Sequence, residues 1–224
     1  VHGGAAYNLL PILQDGRPGR PCAIRKETGL NSASPSRPGY VAFTSGADRI
    51  FALDQGAATL SVFSTQPEMP VLSRLSLGES SIPLSLASYM QGNLLFVVDR
   101  ESGSLLTVRH DPANASLSRQ SDVIQGDFLG PAAVHAASKT LFLVAADSIY
   151  NYRIQAETGE LTLLQRLRNT QPYGQTQHLL CDDEDHVLYL PTSQGVAGSN
   201  IDPECGHISP LKRVAPSAHT IALL

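Results

Sequence analysis

A short, unbroken apolar block recurs along the chain, as "IFALD" from Ile50, "LFVVD" from Leu95, "LFLVA" from Leu141 and "VLYLP" from Val187. The steps between copies are 45, 46 and 46 residues, so the block belongs to a repeated unit. Other marks keep step with it. Pro38 and Pro83 each stand 13 residues ahead of the block's second residue, and Pro131 and Pro172 introduce the later copies. Within each unit the pattern predicts four strands. A short apolar segment ("YVAF", "PLSLA") leads through a polar turn ("TSGAD", "YMQGN", "DDED") into the apolar block. A third strand ("SLLTVRH", "SIYNYRI") then precedes a turn, and a fourth ("LTLLQRL", "ISPLKRV") follows it. Gly, Asp, Asn and Pro mark the corners because tight turns need their positive or preset φ angles. No stretch carries helical periodicity over 8 to 20 residues, so the chain reads as all-β.

Four strands per repeat of this length suit a β-propeller blade, in which neighbouring blades cover both faces of each sheet. That burial accounts for inner strands that are apolar without alternation and outer strands that mix Arg, Gln and Ser with Leu. A β-sandwich of irregular strands is the alternative, and the periodicity speaks against it. The units divide the chain into a single propeller domain: a partial blade over 1–30, a loop over 31–37, blades over about 38–79, 83–125, 131–169 and 172–214, and a closing strand over 217–224. Two arrangements follow. Either the last strand closes a ring of five with the partial blade, or the chain is the carboxy-terminal part of a larger propeller. In the second case, open blade edges would let copies of the chain associate.

Composition narrows the functional classes. The 224 residues are 42% hydrophobic, enough for a substantial core. Charge is sparse at 16%, with 16 basic and 20 acidic residues giving a net of −4, which offers nothing to a nucleic acid or an anionic membrane. Three cysteines, Cys22, Cys181 and Cys205, are odd in number and far apart, which implies neither a disulfide framework nor a zinc site. A reducing compartment and a cytoplasmic location are expected. The start "VHGGAAYNLL" lacks the basic and long apolar segments of a signal peptide, and Asn114-Ala115-Ser116 is a sequon that matters only in a secreted chain.

The turns carry a family resemblance. Three stretches echo one another: "RHDPANASLSRQ" from Arg109, "RIQAETGELTLLQ" from Arg153 and "NIDPECGHISPL" from Asn200. The turn "AETGELT", with "YRI" before it and "LLQRL" after it, resembles the "DPxTGxLT" turns of the lactonase-type seven-bladed propellers. These are the bacterial 6-phosphogluconolactonases and fungal carboxymuconate-lactonising enzymes. "GGAAYNLLPILQDGRPG" is similar to another such unit, and the insertion "ETGLNSASPSRPG" falls where those enzymes carry a long loop. The resemblance covers Gly3 to Leu224 and implies that any missing part is amino-terminal. It also implies a site at one end of the central channel. There His, Arg and Glu from blade-opening loops would bind a small anionic lactone or sugar acid and move protons, with no metal or other cofactor. Cations suit an anionic substrate, and a His or Glu suits proton transfer.

The loops depart from the family pattern. Where the family resembles "GPHAHS" this chain reads "RPGYVA", with Gly39 and Tyr40 in place of histidine. Where it resembles "GPRH", Leu84 and Ser85 follow Pro83, and a later "PR" is Pro172-Tyr173. "AAVHAAS" keeps His135 at the second histidine of "IHVHPSG", and a family glutamate aligns with Arg100 or Glu101 in "DRESG". The resemblance therefore nominates His135, Arg100 and Glu101 for acid/base and anion-binding roles.

Other candidates have plainer readings. "CDDEDH" lacks the glycine and distant Glu of a calcium loop, and by the repeat it is a solvated hairpin turn. His135, His178 and His219 sit near the leading strands of blades, where a shared proton-transfer centre competes with separate structural roles. No G-x-S-x-G is present, and Cys205 stands where the preceding copy has Thr158, a turn position. Two functions remain open: a lactonase-like enzyme that hydrolyses or forms a small carboxylated or phosphorylated lactone, and a noncatalytic propeller used as a binding scaffold.

Overall fold

A computed structural model describes residues 6–9, 17, 23–26, 38–44, 46–66, 69–168, 178–192 and 195–216. Strands β1 (Ala6–Leu9) and β2 (Ala23–Lys26) pair antiparallel. Four sheets of four strands follow, each a meander in chain order. The first holds β3 (Pro38–Phe43), β4 (Arg49–Asp54), β5 (Thr59–Ser64) and β6 (Val71–Ser76). The second holds β7 (Pro83–Tyr89), β8 (Leu94–Asp99), β9 (Ser104–His110) and β10 (Leu117–Gln125). The third holds β11 (Phe128–His135), β12 (Thr140–Ala145), β13 (Ser148–Ile154) and β14 (Leu161–Arg168). The fourth holds β15 (Leu180–Asp182), β16 (Val187–Thr192), β17 (Gly195–Asn200) and β18 (Lys212–Pro216). The only helical turn among the described residues is the 3-10 turn Met90–Gly92, between β7 and β8. These are the blades of a propeller. The third begins at Phe128, ahead of Pro131, because a register shift between Phe128 and Ala132 lets the strand accommodate a proline that cannot donate to the ladder.

The recurring apolar block falls on the second strand of each sheet. In β12, Leu141 and Leu143 face one core with Leu94, Phe96, Val98 and Leu105 of the second sheet. Phe142 and Val144, between them in sequence, face another core with Leu188, Leu190, Ile201 and Ile208 of the fourth. A strand with both faces covered has no solvent side on which to alternate, which is why "LFLVA" reads as a continuous run. The outermost strands β6 and β14 are mostly half-exposed or exposed, as their mixed composition requires.

The chain forms two compact units. One comprises residues 1–83 and 110–118, and the other comprises 84–109 and 119–224. Their turns repeat one geometry. The turn between third and fourth strands closes with Ala115 N–H on Asp111 O, Gly159 N–H on Gln155 O and Gly206 N–H on Asp202 O, at 2.7–2.8 Å. Ala115, Gly159 and Gly206 all take positive φ. This is the physical content of the three echoing stretches. An Asp at the start of many turns fixes them locally: the carboxylates of Asp54, Asp99, Asp182 and Asp202 each accept two backbone N–H groups two and three residues on.

The arginine that opens two of the echoing stretches joins one blade to the next. Arg109 on β9 donates to Gly92 O at 3.2 Å in its own sheet and to Glu157 O at 2.8 Å in the third. Arg153 on β13 repeats the contact, donating to Ser138 O at 2.8 Å and to Cys205 O at 2.7 Å. Beside it, Asn151 donates to Gly206 O, while Gln165 donates to Ile208 O at 3.0 Å and accepts Ile208 N–H at 2.9 Å. Three side chains of the third blade thus clasp the turn of the fourth. In the unit that holds β3 to β6, the task falls to Arg49 on β4, which donates to Pro112 O at 2.6 Å.

Candidate functional site

The loops that open the blades and the turns between second and third strands lie at the same end of each sheet, by the antiparallel order of the strands. Arg100 and Glu101 occupy the β8–β9 turn and are exposed. Asp99 shapes that turn by accepting Glu101 N–H at 2.9 Å, and Gly126 N–H donates to Gly103 O at 3.1 Å, which ties the turn to the loop leading into β11. The anion-binding and acid/base candidates from this turn therefore stand beside a blade-opening loop.

His135 does not join them. It ends β11, at the opposite end of an eight-residue strand that spans roughly 25 Å. It is fully buried, and both ring nitrogens are engaged: Nδ1 with Ser138 Oγ at 2.6 Å and Nε2 with His186 Nδ1 at 3.0 Å. Asp183 Oδ1 lies 3.6 Å from Nε2 and accepts Ala136 N–H at 2.8 Å. The nearest histidine to His135 is thus in "CDDEDH". His178 lies ahead of β15, while His219, Cys22 and Pro172-Tyr173 fall outside the described residues. Sequence reading missed the pairing because His135 and His186 occupy different positions in the repeat and meet only when two blades stack. The "CDDEDH" segment is the β15–β16 hairpin turn, with Asp182 accepting the N–H groups of Glu184 and Asp185 at 3.0 Å.

The substituted loop positions are occupied by residues with packing roles. Ser85 is buried, and its hydroxyl accepts Ala132 N–H at 3.2 Å, fastening β7 to β11. Ala132 and Ala133, at the head of the third blade, are buried too. Tyr40 is half-buried, and burial pushes its phenol above the ordinary value. Cys181 and Cys205 are free thiols, and burial, reinforced by Asp183 and Asp182, pushes the Cys181 thiol far above the range of a nucleophile. Among the described residues no group of three or more His, Cys, Asp or Glu side chains could hold a metal ion. No helix among them is long and apolar enough to cross a membrane.

Two histidines make stability depend on pH. Burial holds His135 below its ordinary value, with Asp183 opposing and His186 reinforcing the shift. Burial and Arg49, whose guanidinium lies 3.0 Å from Nε2, do the same to His110 against the pull of Asp111 and Asp48. Below about pH 6.5 the unfolded chain binds protons that the folded chain resists. The stabilisation is complete above that pH and is lost as pH falls toward the depressed folded values. The thermal midpoint is expected to fall between pH 7.5 and pH 5.5 and to recover on return, and a flat midpoint would contradict the neutral, buried state of both rings.

The family model of the lactonases, described as seven-bladed β-propellers, matches residues 25–222. The chain belongs to the lactonase family. Among solved structures, this lactonase-family chain is similar to a protein from Lactobacillus plantarum, with 14% identity and a TM-score of 0.75 over 93% of this chain and 65% of that one. It is similar to the periplasmic gluconolactonase PpgL of Pseudomonas aeruginosa, with 15% identity and a TM-score of 0.73 over 95% and 65%. A proposed 6-phosphogluconolactonase from Bacteroides fragilis matches at 14% identity and a TM-score of 0.70 over 91% and 63%. At such identities the likeness is one of fold. The chain spans just under two thirds of the length of these structures. No curated protein matches it.

Proposed function

We propose that this lactonase-family chain hydrolyses or forms the lactone of a small carboxylated or phosphorylated acid at the end of the blades that bears the β8–β9 turn. The observation that carries this reading is the family match across residues 25–222. Arg100 supplies a guanidinium that can grip a carboxylate or phosphate through two parallel hydrogen bonds. Glu101, exposed beside it, serves as the base. In hydrolysis, water attacks the lactone carbonyl carbon as Glu101 takes its proton, and the ring C–O bond breaks as the Glu101 carboxyl returns that proton to the leaving oxygen. His135 has no part in this step, because it is buried at the far end of its strand and holds a turn together.

The test is hydrolysis of 6-phosphogluconolactone and of muconolactone by the purified chain. Arg100→Ala is expected to lower kcat/KM by roughly 10- to 100-fold, the worth of one charge-assisted contact to an anion. A rate no faster than spontaneous hydrolysis for both lactones would overturn the proposal. A second reading, a noncatalytic propeller that binds a partner, is favoured by the use of Ser85 as a backbone acceptor and by the alanines that open β11. It expects no turnover of either lactone and no effect of Arg100→Ala on rate.

A further inference from the structure

The contact between His135 and His186 fixes which ring nitrogens present lone pairs. Ser138 N–H donates to His135 Nδ1 at 3.3 Å, and a backbone amide can only donate, so Nδ1 presents its lone pair. The Ser138 hydroxyl, 2.6 Å from the same nitrogen, shares that lone pair and in turn meets Thr140 Oγ1 at 2.8 Å. The proton of the His135 ring therefore sits on Nε2, pointing at His186 Nδ1 3.0 Å away, which must also be a lone pair. The rings meet edge to face at 5.1 Å. An added proton has two places to go. On His135 Nδ1 it would face the Ser138 amide, and on His186 Nδ1 it would face the N–H of His135 or force that N–H round to Nδ1 against the same amide.

The surroundings do little to welcome that proton. Asp183 is the one carboxylate bonded into the cluster, at 3.6 Å from Nε2, and it already accepts Ala136 N–H. Asp182 is occupied by its own turn, while Glu184 and Asp185 are exposed. On the third blade, Lys139 is exposed, and Arg153 donates to Ser138 O, which brings positive charge to the same turn.

We propose that this histidine pair is an acid-released latch between the third and fourth blades, closed when both rings are neutral and opened when a proton enters. Opening separates the β11–β12 turn from the β15–β16 turn and breaks the Ala136–Asp183 bond with it. The clasp of Arg153, Asn151 and Gln165 reaches only backbone atoms of Cys205, Gly206 and Ile208, so it keeps the fourth blade attached while the hairpin end loosens. The device biases a local opening and leaves the fold intact.

The test is hydrogen–deuterium exchange of the whole chain at pH 7.5 and pH 5.0, corrected for intrinsic exchange rates. The Ala136 amide and residues 183–187 are expected to exchange at least tenfold faster at pH 5.0, with β12 and β13 unchanged. His186→Asn tolerates the positive φ of 54° at that position, and combined with His135→Asn it removes both titrating rings, so the double variant is expected to erase the pH response. Histidine ring NMR of the unsubstituted chain supplies a second measurement: the His135 ring should take up its proton over the pH range in which exchange rises. Equal protection at both pH values, a response that survives the double substitution, or ring titration outside that range would each overturn the latch.

Discussion

Gly206→Ala is expected to destabilise the chain by about 2–4 kcal/mol, the sum of forced overpacking and a left-handed backbone imposed on a residue with a Cβ. Gly206 lies in the turn between β17 and β18 with φ at +77°, and an added Cβ would collide with the Thr140 methyl of the third blade. Its approach to Ser138 Oγ, at 3.2 Å, is also tight. Neither neighbour can yield cheaply, because Thr140 and Ser138 are buried in the hydroxyl chain that ends at His135. Gly46→Ala is the matched control, since the nearest atom to a new Cβ there is 3.8 Å away and no positive φ is involved. Urea unfolding should shift the midpoint for Gly206→Ala and leave it nearly in place for Gly46→Ala. Equal midpoints for the two variants would mean that the turn of the fourth blade is free to move away from the third.

Arg153→Met carries the second-largest effect, a loss of about 2–3 kcal/mol for the paired bonds of one guanidinium. Methionine keeps the aliphatic bulk of the stem and removes the donors to Ser138 O and Cys205 O. Both carbonyls would then have to find water or stay unpaired, and the clasp on the fourth blade would rest on Asn151 and Gln165 alone. Because Arg153 and Gly206 act on the same turn, Arg153→Met combined with Gly206→Ala should cost less than the sum of the two. Additive effects in urea unfolding would show that the guanidinium and the tight turn are independent fasteners.

Both residues belong to the echoing stretches that carry the family resemblance, and this indicates how much of the fold was legible. Gly159 and Gly206 announce a left-handed turn on their own, because glycine takes that conformation without a steric penalty. Ala115 takes the same conformation in the second blade with no such signal. It is placed there by the hydrogen bonds that close its turn, Ala115 N–H on Asp111 O and Asp111 N–H on Ser116 O. Residues Ala47, Asn93, Lys139 and His186 likewise repeat a positive φ in the turn between first and second strands, though the four residue types have nothing in common. Blade geometry imposes the angle, and the local sequence only tolerates it.

The candidate site was less legible than the fold. Arg100 and Glu101 are nominated by the family resemblance of "DRESG", and Asp99 shapes the turn that holds them within a few residues. His135 was found through a motif, but its surroundings come from His186 and Asp183, about fifty residues further on in a turn that reads as solvated acid. Ser85 reads as the loss of a functional side chain, and only the stacking of β7 beside β11 gives its hydroxyl a partner in Ala132 N–H.

By itself, then, the sequence determined the all-β class, the four-stranded unit, its period and the corners of each blade. Those properties are written within one repeat, where the apolar run and the turn residues stand side by side in the chain. Tertiary structure alone decided which polar residues are spent on fastening one blade to the next and which remain exposed. Arg153, Asn151, Gln165, His135 and Ser85 all bond to atoms about forty to fifty-five residues away. A pairing across a blade interface leaves no periodic trace in the chain, because it depends on two surfaces that meet only after each has folded.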